Sequence, residues 1–97
     1  MMGTKVNVDH EIEVELESHE LAAVRRLRYL DDIMTDVLDS ARASGTDGFV
    51  MLTGNRFAFE HLVGEIAHAV NRSRGWSARV DALSSAADAI ELALADP

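Results

Sequence analysis

Val6, Val8, His10, Ile12, Val14 and Leu16 alternate with Asn7, Asp9, Glu11, Glu13, Glu15 and Glu17. No other feature of the chain narrows its folding as much. An α-helix would scatter these carboxylates around its circumference. An extended chain gathers them on one face and the apolar side chains on the other, because strand side chains repeat every two residues. The β-branched residues favour the same conformation. A slip of one residue would bury the whole acidic row, so the facing is strongly specified. The spacing therefore predicts a long N-terminal strand over 6–16. Its outer face is a ladder of like charges about 7 Å apart. Such a ladder serves either as protection against unwanted edge pairing or as an interaction surface.

Ser18 stands where an N-cap is expected, with Glu20 in the first turn. From there Ala23, Leu27, Leu30, Met34, Val37 and Ala41 recur at four- and three-residue intervals, widened by Val24, Ile33 and Leu38. This stripe predicts one long helix to about Ala43 with heptad-like character. Its charges run against the helix dipole, with Arg25, Arg26 and Arg28 early and Asp31, Asp32, Asp36 and Asp39 late. Local stability does not account for that order. The arginines are instead expected to meet the Glu ladder, on this chain or on a second copy.

Ser44-Gly45-Thr46-Asp47-Gly48 reads as a turn. Phe49-Val50-Met51-Leu52 reads as a short second strand buried on both faces. Thr53 or Asn55 is expected to cap a helix over 56–72 with Phe59, Leu62, Val63, Ile66, Ala69 and Val70 on its apolar side. Gly64 interrupts that helix, which predicts a neighbouring backbone packed against it. Arg72 and Arg74 suit the helix end, and Gly75 terminates it. Ser77 is placed to cap a last helix with the stripe Val80, Leu83, Ala87, Ile90 and Leu94, and Trp76 is expected to anchor the intervening turn. The order is β-α-β-α-α, an α+β, predominantly helical single domain over 1–97 that ends in a helical hairpin.

The chain has 97 residues and a formal net charge of −8, from 17 acidic against 9 basic side chains. That sign opposes nucleic-acid and anionic-membrane binding and suits a basic protein partner. A strand followed by helices is similar in outline to ribbon–helix–helix DNA binders. Here, however, the strand would present Glu11, Glu13 and Glu15 to phosphates, which electrostatics rejects. The chain has no cysteine, so disulfides, thiolate metal sites and cysteine nucleophiles are excluded. No apolar run approaches membrane-spanning length, and a cytoplasmic protein is expected. A thin sheet cannot cover three helical stripes and a long ribbon, which predicts a homodimer.

His61, Glu65, His68 and Arg72 share one helix face, and Glu65-Ile66-Ala67-His68 has the Glu-x-x-His spacing of carboxylate-bundle metal sites. That architecture needs a second copy of the motif and two further glutamates, so a solvated face with helix-spaced ion pairs competes with it. His10 lies on the apolar side of the strand, and a pH-sensing role there competes with that of a hydrogen-bonded half-buried side chain. His19 opens the long helix. Gly54-Asn55-Arg56 lacks the lysine and glycine spacing of a phosphate loop. No serine sits in a nucleophile elbow, and no cofactor is implied. The reading is a small acidic non-enzymatic protein–protein interaction module of accessory, regulatory or inhibitor type. Its candidate surfaces are Glu11, Glu13, Glu15 and Glu17, then Arg25, Arg26 and Arg28. The alternative is a metal-binding protein or small metalloenzyme using His61, Glu65 and His68.

Overall fold

The computed structural model describes residues 11–95. The elements are β1 (Ile12–Glu17), α1 (Ser18–Arg25), α2 (Asp32–Asp39), β2 (Arg42–Ala43), β3 (Phe49–Gly54), α3 (Arg56–Arg72) and α4 (Ala78–Ala95). The strands form one antiparallel sheet in the order β1-β3-β2. The α+β class, the N-terminal strand and the closing pair of helices agree with the sequence pattern. The part of the predicted strand over 6–10, with His10, lies outside the described residues.

The period-two alternation acts as expected over β1. Val14 and Leu16 are buried while Glu13, Glu15 and Glu17 are exposed. Their partners on β3 are Leu52 and Val50 for the inward residues and Thr53, Met51 and Phe49 for the glutamates. Directly paired residues point to the same side of an antiparallel sheet. The inward side meets α1 and α4, and the core closes on Leu16, Val24, Leu52, Phe59, Leu62, Ile66, Leu83 and Ile90. On the outward side no described residue is fully buried. The second strand is therefore half-buried, with only Leu52 fully enclosed, and it runs on to Gly54.

The predicted long helix is two short ones. A continuous helix over 18–43 would extend about 39 Å, too long for a core this small to cover. Instead α1 tightens at its end, where the N–H groups of Arg26 and Leu27 reach back to the carbonyls of Ala23 and Val24. Leu27 stays buried in the turn that follows. Asp31 then starts α2, its carboxylate accepting from the Met34 N–H at 3.0 Å. The break removes part of the reversed charge order, although Asp36 and Asp39 still lie in the C-terminal half of α2. Arg25 ends one helix and Asp32 begins the next, as the dipole prefers. The residues assigned to the last turn of the long helix, Arg42 and Ala43, instead form β2.

Some local assignments change, while the caps at Asn55 and Ser77 fall where the sequence allows them. Glu17, not Ser18, occupies the N-cap of α1, and its N–H donates to the buried Glu20 carboxylate at 2.8 Å. Ser18 donates through its N–H and its hydroxyl to the Gly48 carbonyl. Gly48 has φ 84°, so only a residue without a Cβ presents that carbonyl cheaply. Asn55 caps α3 by accepting from Ala58 at 2.8 Å, and Ser77 accepts from the Val80 N–H at 3.1 Å. Just before β2, the Ser40 hydroxyl accepts the Thr53 N–H at 2.8 Å. The buried stripe of α4 turns toward its alanines, with Ala82, Leu83, Ala86 and Ile90 enclosed, because this helix packs on both α1 and α3. Trp76 anchors nothing, since it is 75% exposed.

Gly64 has no close neighbour either: a Cβ built there meets nothing within 4 Å. At Gly54, by contrast, a Cβ would lie 2.9 Å from Val37 Cγ2. Gly64→Ala should therefore stabilise the fold by about 1 kcal/mol through helix propensity. Gly54→Ala should cost about 1–3 kcal/mol by overpacking. Urea denaturation of both variants checks the pair, and a destabilised Gly64→Ala would contradict the open environment.

Candidate functional site

The sheet's outward face is the first candidate surface. Glu13, Glu15 and Glu17 stand in a row beside Thr53, Met51 and Phe49, with Arg42 across from Met51. Arg42 donates to Glu13 at 2.9 Å, spanning the central strand. Glu17 lies 3.5 Å from the exposed His19 ring. Glu15 has no ion-pair partner among the described residues, and Glu11 is exposed just before β1. The face thus combines negative charge with half-buried apolar side chains.

The second candidate surface does not hold together as Arg25, Arg26 and Arg28. Within the chain, among the described residues, none of them meets the Glu ladder at ion-pair distance; that contact belongs to Arg42. Arg25, though exposed, donates to the Leu38 carbonyl at 3.1 Å, which ties α1 to the end of α2. Arg26 and Arg28 instead line a cavity of about 460 Å³ together with Tyr29, Arg72 and Arg79, and Ala69 and Ser73 complete its lining. The Arg72 guanidinium lies over the Tyr29 ring, 5.6 Å from its centroid. Three segments thus deliver four of the chain's eight arginines to one concavity. Tyr29 and Arg79 were not singled out in the sequence. A predicted helical hairpin would bring Arg72 and Arg79 to the same end, but joining them to Arg26 and Arg28 requires the break after α1.

The helix-borne His61, Glu65 and His68 do not assemble into a ligand set. His61 is engaged elsewhere: its Nε2 lies 2.8 Å from Asp31 Oδ2, and its ring pairs with Phe57 at 5.6 Å. His68 is exposed, while Glu65 is half-buried with Oε2 enclosed and lacking a hydrogen-bond partner among the described residues. Among the described residues no three His, Cys, Asp or Glu side chains converge on a position that would hold a metal ion. Asp31 and His61 do join the start of α2 to α3. No described helix is long and apolar enough to cross a membrane.

Comparison of the chain with protein-family models, curated proteins and solved structures finds no significant match.

The Met34 N–H holds the Asp31 carboxyl below its ordinary value, and the His61 ring adds to this while partial burial opposes it. A carboxylate with a depressed folded-state value stabilises the fold above the ordinary carboxylate range. That contribution is lost as pH falls through the depressed value. Asp31→Asn keeps an acceptor for Met34 but removes the charge facing His61. The wild type should exceed this variant in stability at neutral pH, and the two should converge as pH falls through the depressed Asp31 value. Chemical denaturation of both proteins across that range reads the difference, and a gap independent of pH would refute the assignment.

Proposed function

We propose that this chain is a small non-enzymatic protein–protein interaction module of accessory, regulatory or inhibitor type, cytoplasmic and homodimeric. It takes a partner with a basic surface on the outward face of its sheet. The observation that carries this reading is the exposed row Glu13, Glu15 and Glu17 set against half-buried Met51 and Phe49. Carboxylates provide steering and register, while an apolar strip alongside them provides area to bury. Glu11 extends the row by one position. The large side chains Tyr29, Phe57, Trp76 and Leu92 are each 60% or more exposed, which supports self-association through further surface.

Reversal of two charges tests the face. The double variant Glu13→Lys/Glu15→Lys should keep its circular dichroism spectrum and lose the partners that the wild type captures from its native cell. Those partners should also dissociate from the wild type as salt is raised, because the contact is electrostatic. Capture that survives the reversal unchanged would rule out this face. Sedimentation velocity at micromolar concentration should return a dimer, and a clean monomer would remove that part of the reading.

A further inference from the structure

The arginine cavity is separate from the acidic face and does not depend on it. Arg26 and Arg28 come from the segment after α1, Arg72 from the last turn of α3, and Arg79 from the first turn of α4. Arg72 sits where a helix dipole welcomes a cation, but Arg79 sits where the dipole opposes one. Among the described residues none of the four lies within ion-pair distance of a carboxylate, although the chain carries 17 acidic residues. Among the described residues no acidic side chain lines the cavity. Four guanidiniums that face one concavity without a counter-charge repel one another, and an anion there would relieve that repulsion.

From this arrangement we propose that the cavity binds a small soluble phosphorylated ligand. Guanidinium groups present planar pairs of N–H donors that match phosphate oxygens bidentately. The volume of about 460 Å³ suits a small molecule rather than a polypeptide segment. Tyr29, 60% exposed and already under the Arg72 guanidinium, offers an apolar wall for the organic part of such a ligand. The net charge of −8 opposes approach to an anionic bilayer, so the phosphate is carried by a free molecule rather than a lipid headgroup.

Pyrophosphate is the probe. Isothermal titration calorimetry of the full chain should give a saturable one-to-one isotherm that weakens as salt is raised. Arg28→Gln/Arg79→Gln should weaken binding by roughly tenfold or more per arginine removed. Arg26→Gln/Arg72→Gln should do the same, which guards against one pair failing to fold, and circular dichroism checks both. Arg42→Gln carries the same charge change per residue on the sheet face and should leave the affinity nearly unchanged. Absence of saturable heat with the folded wild type would overturn the proposal, as would an equal loss in Arg42→Gln. So would binding confined to vesicles containing phosphatidylinositol bisphosphate. If the cavity arginines served only to hold the glutamates of a second copy, their replacement would dissociate a dimer while pyrophosphate failed to bind. That result would also overturn it.

Discussion

The pairing of β1 with β3 is the constraint on which the rest of this structure depends. Its register puts Val14 opposite Leu52 and Leu16 opposite Val50, with the three glutamates on the far side. A shift by one residue would turn Val14 and Leu16 out to water and drive the carboxylates into the core. The helices can pack only because the inward side is apolar, and no described helix packs on the charged outward side. The row of like charges also protects β1, which lies at a sheet edge, from pairing with another chain. The same carboxylates therefore serve stability by exclusion and remain available to a partner of opposite sign.

The break between α1 and α2 is the second organising event. The intervening turn buries Leu27 and leaves Arg26, Arg28 and Tyr29 to line the cavity that Arg72 and Arg79 share. Three contacts hold the break: Asp31 caps α2, His61 holds Asp31 from α3, and Arg25 reaches the Leu38 carbonyl. Two of these involve side chains that sequence reading assigns to other roles. His61 stands in the metal alternative and Arg25 in the basic partner surface. Both side chains thus have a structural contact as well, and the connection between two short helices is built from charged side chains rather than from glycine or proline.

Sequence periodicity made legible what depends on one element facing one core. The alternation of β1, the stripe of α3 and the cap at Ser77 were readable, and Asn55 is one of the two candidates for the α3 cap, because each is local. The break at 26–31 was not, because the apolar spacing runs unbroken through Leu27, Leu30 and Met34 while only the charge order dissents. That dissent was the available signal. Arginines before aspartates are costly in one helix and favourable as the end of one and the start of another. β2 has two residues and draws its identity from its pairing with Met51 and Val50, so no local pattern announces it. Gly64 misled for a different reason: an interior glycine suits close packing, but it also occurs where nothing packs. The exposure of Glu13, Glu15 and Glu17 was readable, whereas the cavity joins side chains from three segments that only the tertiary arrangement brings together.

The distribution of charge ties these points together. An acidic chain of this size has carboxylates in excess for every arginine, so pairing within the chain is the simplest fate for its cations. Arg42 and Arg56 follow it, with Glu13 and Glu60. Among the described residues the four cavity arginines do not, and this follows from the architecture. The outward face of the sheet holds the glutamates of β1, while the helix ends that carry the arginines present no acid to the cavity. Sorting of this kind opposes the self-neutralisation that would best suit an isolated small fold. It leaves two surfaces of opposite sign, each wanting a complement from outside the chain.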